Sequence, residues 1–260
     1  MTIKIKTPEE IQKMRVAGKL AADVLDMITP HVVAGVSTGQ LNQIMHDYMV
    51  DEQKTIPATL NYHGFPASSC ISINQVVCHG IPDDAKKLKN GDIVNIDVTV
   101  IKEGYHGDTS RMFEIGDVKP FAHRLSQVAH ECLWLGIEQV KADATLYDVA
   151  LAIQTHAENN NFTVVKEYCG HGIGAEFHEP PQVLHYASEE LKQIVLKPGM
   201  IFTIEPMINL GKSAVKLLAD NWTVVTKDRK LSAQWEHTLA VTEEGYEIFT
   251  LRADEKPVLP

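Results

Sequence analysis

Four acidic residues and one histidine could share divalent cations: Asp97, Asp108, Glu205, Glu236 and His171. In Gly91-Asp92-Ile93-Val94-Asn95-Ile96-Asp97-Val98-Thr99-Val100, alternation sets Val94, Ile96, Val98 and Val100 on one face of a strand. Ile93, Asn95, Asp97 and Thr99 fall on the other. The first set suits packing against helices. The second carries a carboxylate into the middle of a strand, where a lone ion is costly to bury. A turn around Lys102-Glu103-Gly104-Tyr105 would bring Asp97 and Asp108 onto facing strands, where they repel each other unless a cation lies between them. Taken alone, Asp108 reads as a turn residue or cap.

Later segments supply matching pieces. Ile201-Phe202-Thr203-Ile204-Glu205 ends an apolar strand on a carboxylate, and Pro206 suits a strand end. Gln234-Trp235-Glu236-His237-Thr238 sets another acid among strand formers, although Glu236 by itself reads as a surface residue. Gly170-His171-Gly172-Ile173-Gly174 reads as a loop whose glycines admit close neighbours. It is a poor phosphate loop, because no Lys-Ser/Thr follows and Phe177-His178-Glu179-Pro180-Pro181 does not start a helix. Two Asp, two Glu and one His suit two divalent cations, whereas a structural zinc site more often uses Cys. In such sites the ions sit ~3.5–4 Å apart and share a water that ionises near neutral pH to become a nucleophile. His79 and His178 are left either to donate hydrogen bonds to a developing oxyanion or leaving amide, or to be ordinary loop histidines.

The elements that must position these residues are legible in outline. Thr7-Pro8-Glu9-Glu10 is a capping box with Pro at the first helical position, followed by Ile11, Met14, Ala17, Gly18, Ala21, Leu25 and Ile28 at helical spacing. Ser37-Thr38-Gly39-Gln40 opens a second helix. A third runs from about Phe121 to Val140, and Thr145-Leu146-Tyr147-Asp148 opens a fourth. Strand-rich stretches cover 92–101, 107–115, 162–168, 200–208, 222–227 and 235–242.

At an offset of 108 the sequence overlays on itself. Ser37 and Gln40 fall on Thr145 and Asp148, His63-Gly64 on His171-Gly172, and Lys89, Gly91, Ile93, Ile96 and Asp97 on Lys197, Gly199, Ile201, Ile204 and Glu205. Two helix-helix-strand halves, approximately 7–118 and 119–251, are expected to pack as one pseudo-symmetric α+β domain spanning 1–260, with Asp97 and Glu205 facing a central cavity.

The 260 residues are 44% hydrophobic and 22% charged, which excludes disorder, collagen and coiled coil. A net charge of −10 argues against a duplex DNA binder. Four cysteines without C-x-x-C spacing form no disulfide framework. No signal peptide is evident, and no run reaches the ~18 apolar residues of a membrane span. A soluble cytoplasmic protein without a membrane or DNA partner is expected.

Together, these residues resemble methionine aminopeptidases, specifically the short bacterial-type form of type I. The motifs are the strand with Asp97, Gly107-Asp108-Thr109-Ser110-Arg111, Gly170-His171-Gly172-Ile173-Gly174 with His178-Glu179-Pro180, Thr203-Ile204-Glu205-Pro206 and Trp235-Glu236-His237-Thr238, in order from roughly Thr7 to Leu251. The resemblance implies the pseudo-twofold pita-bread fold around a central antiparallel sheet. It implies two divalent metal ions (Co, Mn, Fe or Zn): Asp97 and Asp108 would hold one, Asp108 and Glu236 would bridge to the second, and His171 and Glu205 would complete it. Glu205 resembles the general acid/base, His178 the group that stabilises the tetrahedral intermediate, and His79 a contact near the scissile amide. Tyr62, His63, Phe65, Cys70, Phe177 and Trp222 look like the methionine pocket, with ordinary core aromatics as the alternative. Relatives often carry Cys near Thr59. Asn74, Val76 and Ser232 match a monovalent-cation site of some relatives.

The implied reaction removes the initiator Met from deformylated nascent polypeptides whose second residue is small, by a monomer that works near the ribosome. Thr2 is small, so the chain is expected to process its own Met1. The alternatives are a proline-specific aminopeptidase of the same fold, which usually carries a large extra N-terminal domain, and a non-catalytic binding protein, which predicts missing ligands where none is missing. A metal-independent hydrolase lacks support, since no G-x-S-x-G elbow is present.

Overall fold

The computed structural model describes residues 2–253 and 255–256, so the expected cleavage after Met1 lies outside the described residues. Four helices carry the outer layer: α1 (Pro8–Ile28), α2 (Thr38–Asp47), α3 (Pro120–Ile137) and α4 (Leu146–Asn159). Capping boxes open α1, α2 and α4 at Thr7, Ser37 and Thr145, in each of which the cap hydroxyl accepts from the third helical amide. Helix α3 starts on Pro120 and ends at Ile137, short of Val140, because Gln139 donates to the Gly136 carbonyl in a closing turn.

Two antiparallel sheets form the centre. In the first, Ile93–Lys102 pairs with Tyr105–Glu114 on one edge, and with Cys70–Ile73 and Ile56–Pro57 on the other. In the second, the order is Tyr246–Ile248, His237–Val241, Ile201–Ile204, Gly170–Gly172, Glu179–Val183. A bridge between Ser110 and Glu236 joins the sheets, with the Glu236 amide donating to the Ser110 carbonyl at 3.2 Å. Glu236 therefore sits on the seam.

The strand alternation reads out as packing. Val94, Ile96, Val98 and Val100 are buried with Ala21, Val24, Leu25 and Ile28 of α1 and Leu41 and Met45 of α2. Phe202, Ile204 and Leu239 of the second sheet are buried against α3 and α4. Each fully buried Leu or Ile contributes about 1.5–3 kcal/mol, so the two helix pairs hold the sheets and leave the inward faces to polar residues.

The duplication is written into the hydrogen bonds. Gly35 donates to Leu88 O (2.8 Å) and Asp143 to Leu196 O (3.1 Å); Leu88 donates to Val36 O (2.9 Å) and Leu196 to Ala144 O (2.8 Å); Thr38 donates to Lys86 O (2.9 Å) and Leu146 to Ile194 O (3.1 Å). Both partners of each pair are displaced by 108 residues. The same stitch thus ties the start of the second helix of each half to the chain entering its acidic strand.

Several strand expectations are corrected. The 162–168 stretch pairs only at Thr163–Val164, since the chain beyond Val165 turns so that Tyr168 and Cys169 can line the central cavity. The 200–208 stretch splits at Glu205-Pro206 into Ile201–Ile204 and Met207–Asn209, which belong to different sheets. Gly170–Gly172, expected as a loop, is a strand. A side chain at Gly172 would stand 2.3 Å from the Pro180 carbonyl oxygen, so only glycine lets the two strands approach. Glu179–Val183 is a strand despite its two prolines, which an edge position tolerates.

Helix α1 rests directly on the first hairpin. A Cβ at Gly107 would lie 2.2 Å from the Ala17 carbonyl oxygen and 2.5 Å from the Gly18 amide nitrogen, both of them backbone. Gly107→Ala is therefore expected to destabilise the fold by about 1–3 kcal/mol and to displace the neighbouring Asp108. Urea unfolding with parallel activity assays checks this; an unchanged midpoint would contradict the packing described.

Candidate metal centre

In the first hairpin Asp97 pairs with Ser110 and Asp108 with Thr99, so the two carboxylates are diagonal neighbours on the inward face. Glu236 joins them from the sheet seam. One ligand atom from each of Asp97, Asp108 and Glu236 lies within 4.8 Å of the others. Glu205 arrives at the end of Ile201–Ile204, and His171 from the neighbouring strand. His171 Nε2 lies 3.6 Å from Asp108 Oδ2 and 3.7 Å from Glu205 Oε1. Its Nδ1 is 3.0 Å from the Gly172 carbonyl, to which only a protonated nitrogen can donate. That contact turns Nε2 toward the acids, where it can serve as a ligand atom.

Hydroxyl and amide groups aim the carboxylates. Thr99 Oγ1 donates to Asp108 Oδ1 (2.7 Å), Thr203 Oγ1 to Glu205 Oε1 (2.8 Å) and Gln234 Nε2 to Glu205 Oε2 (3.1 Å). The Glu205 amide donates to Nε2 of the buried His185 (3.1 Å). Sequence reasoning missed these supporting residues. Thr99 and Thr203 lie two positions from an acid, and strand periodicity puts such neighbours on one face.

The electrostatics show what such a cluster lacks. Burial, then repulsion from Asp108 and Glu205, holds the Asp97 carboxyl well above its usual pKa. Burial, then Asp108, Glu205 and Asp97, does the same to Glu236. Glu205 is pushed up to about 7 by burial and Asp108, against the opposing pull of His171. Burial lowers the His171 pKa, yet Asp108 and Glu205 outweigh it and raise the net value. Among the described residues no lysine or arginine pairs with any of these acids. A group of buried and half-buried carboxylates with no lysine or arginine partner among the described residues fits divalent cations, and oxygen and imidazole donors suit Mn, Fe, Co or Zn.

The centre forms the polar floor of a cavity of about 270 Å³ whose wall includes Tyr62, Phe65, Cys70, Phe177, Met207 and Trp222. His79 and His178 also line it, as do Thr59, Glu167, Tyr168 and Cys169. Phe65 and Trp222 pack edge to face at 5.2 Å, and His79 lies 5.7 Å from Tyr168. His79 is held at φ 55°, a backbone conformation that is rare outside glycine, and burial lowers its pKa, favouring the neutral ring. Thr59 ties its hydroxyl to the Ala67 carbonyl (3.0 Å), closing the loop that carries Tyr62 and Phe65.

Not every expected residue lines this cavity. His63 is exposed, edge-on to Tyr62 at 4.4 Å, outside the lining. Asn74 and Ser232 meet elsewhere, the Ser232 amide donating to the Asn74 carbonyl at 2.9 Å, while Val76 pairs with Val225. Tyr168, Cys169 and Met207 were missed; they directly flank the Gly170-His171 and Glu205-Pro206 motifs.

Residues 12–243 match metallopeptidase family M24. Methionine aminopeptidase of Escherichia coli strain K12 is 60% identical over 255 residues, spanning 98% of this chain and 96% of that protein. Its Haemophilus influenzae counterpart is 58% identical over 256 residues, spanning 98% and 95%. Among solved structures, methionine aminopeptidase from Rickettsia prowazekii superposes with a TM-score of 0.93 at 54% identity, covering 96% of this chain and 100% of that one. A prolidase from Pyrococcus horikoshii shares the fold at a TM-score of 0.75 and 19% identity, and this chain covers 98% of itself but 65% of that protein. The chain belongs to metallopeptidase family M24 and has its pita-bread fold. Within the family it groups with the methionine aminopeptidases rather than with the proline peptidases. Among the described residues no helix is long and apolar enough to cross a membrane.

Because the Glu236 pKa is raised on folding, its stabilising contribution is present below the unfolded value of about 4.3 and is lost as pH rises toward the folded value. In chelated protein, Glu236→Gln is therefore expected to unfold at a higher temperature than the parent at pH 8, with the gap closing toward pH 4. The same variant should lose most of the thermal stabilisation that Mn²⁺ confers on the parent. Thermal unfolding with chelator and with Mn²⁺ measures both; a chelated parent more stable than the variant at pH 8 would count against mutual repulsion.

Proposed function

We propose that this methionine aminopeptidase releases N-terminal Met from polypeptides with a small second residue, at a centre where Asp97, Asp108, His171, Glu205 and Glu236 hold two divalent ions. The observation that carries the reading is the convergence of four carboxylates and one imidazole on the floor of an otherwise largely apolar cavity. Asp97 and Asp108 would hold one ion, Asp108 and Glu236 would bridge to the second, and His171 and Glu205 would complete it. When bound, the ions supply a water of lowered pKa and polarise the scissile carbonyl.

The chain's own groups do the rest. Glu205, at the end of Ile201–Ile204 with Oε1 3.7 Å from His171 Nε2, would take a proton and pass it to the leaving amine. His178 donates a hydrogen bond to the carbonyl oxygen as it gains charge, and His79 contacts the substrate near the scissile amide. Tyr62, Phe65, Cys70, Phe177 and Trp222 take the methionine side chain, whose thioether packs well on aromatic edges. His63 would contribute only from the rim. Tyr62, Phe177 and His178 crowd together, with ring centroids 4.4–5.4 Å apart, which supports a limit on the size of the second residue.

One catalytic domain with halves near 7–118 and 119–251 carries the activity, as a cytoplasmic monomer acting on nascent chains close to the ribosome. A monovalent cation at backbone oxygens of Asn74, Val76 and Ser232 would tie the end of Cys70–Ile73 to Val76–Cys78 and Ser232–Gln234, a reading supported by the Asn74–Ser232 contact.

Hydrolysis of a Met-Ala-Ser peptide after chelation, and after return of Mn²⁺ or Co²⁺, tests the activity, with Met-Lys-Ser and Ala-Pro-Ser peptides alongside. Metal-restored release of Met from the first peptide alone is expected. Cleavage of the Ala-Pro peptide instead would move the chain to the proline-peptidase branch, and absence of turnover with every metal would overturn the enzymatic reading.

A further inference from the structure

Tyr62 Oη lies 2.8 Å from His178 Nδ1, joining residues 116 positions apart and from opposite halves of the chain. The two rings are also stacked, at 5.4 Å and an interplanar angle of 28°. Both partners are held from behind. The Tyr62 amide donates to the Thr59 carbonyl (3.0 Å), its carbonyl accepts from Phe65 (2.9 Å), and the flanking Asn61 and His63 take φ 64° and 47°. His178 is followed by Glu179, whose buried carboxylate pairs with Lys6 Nζ at 2.5 Å and accepts from the Glu176 amide at 3.3 Å. The contact is therefore held by two separately anchored loops.

The direction of the bond follows from acid–base chemistry. An imidazole nitrogen is far more basic than a phenol oxygen, and the phenol keeps its proton at neutral pH, so Tyr62 donates and Nδ1 accepts. A neutral imidazole that accepts at Nδ1 carries its proton on Nε2, on the other side of the ring. The geometry points to Tyr62 as a positioning residue that fixes His178 in the Nε2–H tautomer, giving the ring a hydrogen-bond donor for the developing oxyanion. The inference rests on the role proposed above for His178. In the other tautomer the ring would turn a lone pair toward a negative oxygen. Tyr62 would then act on the transition state through His178, beyond any contact it makes with methionine, and its loss should fall on kcat rather than KM.

The test combines tautomer spectroscopy with a double-variant cycle. In Zn²⁺-loaded protein labelled with ¹⁵N-histidine, long-range ¹H–¹⁵N spectra should show His178 as Nε2–H in the parent, and a populated Nδ1–H form in Tyr62→Phe. With Met-Ala-Ser, Tyr62→Phe should lower kcat about three- to tenfold and leave KM within about twofold. His178→Gln presents an amide donor that needs no tautomer, so adding Tyr62→Phe to it should lower kcat no further. The inference is overturned if Tyr62→Phe keeps His178 wholly as Nε2–H, if its loss falls on KM, or if the two losses multiply. A His178→Ala variant with undiminished kcat would instead overturn the role of His178, and the spectra still report the tautomer separately.

Discussion

Mutual repulsion among closely packed carboxylates is the constraint on which the site depends. Asp97, Glu205 and Glu236 converge with Asp108 on one cavity, where burial and the neighbouring charges oppose ionisation of Asp97, Glu205 and Glu236. A folded chain tolerates such a cluster only if protons or cations neutralise it, and at neutral pH cations of the right size hold it open as a set of ligands. Stability and function pull in opposite directions at these positions, a common condition of catalytic sites.

The rest of the architecture answers that constraint. Two helix pairs, whose second helices open on matching capping boxes and are tied by hydrogen bonds repeated at an offset of 108, cover two antiparallel sheets from outside. The inner faces are then free to carry acids. Glu236 lies on the seam between the sheets, so the cluster draws its carboxylates from both sheets. Thr99, Thr203 and Gln234 spend their hydrogen bonds on the carboxylates, which limits their motion without supplying positive charge.

Much of this was legible before folding because local rules act on local sequence. The capping boxes at Thr7, Ser37 and Thr145, the alternation around Asp97 and the turn before Tyr105 each need fewer than a dozen residues to be recognised. Asp97 stands out because a charge inside an apolar strand demands a partner, whereas Asp108 and Glu236 taken alone read as a turn residue and a surface residue. What stayed hidden depends on tertiary neighbours. Gly170–Gly172 became a strand because its glycines let Glu179–Val183 and Ile201–Ile204 approach, and no local pattern announces those partners. His185 gives no sequence signal either, since its link is to the Glu205 backbone 20 residues away. His63 reads as pocket lining beside Tyr62, but it is exposed on a left-handed backbone at φ 47°.

The central claim, that this carboxylate cluster is a binding site for two cations, is tested most directly by counting them. Calorimetric titration of chelated protein with Mn²⁺ under anaerobic conditions, read alongside metal analysis of the dialysed complex, gives that count. Two ions per chain are predicted for the parent, with the stoichiometry or affinity of at least one falling sharply in Asp97→Asn and Glu236→Gln. Absence of binding, or binding that both substitutions leave untouched, would contradict the account.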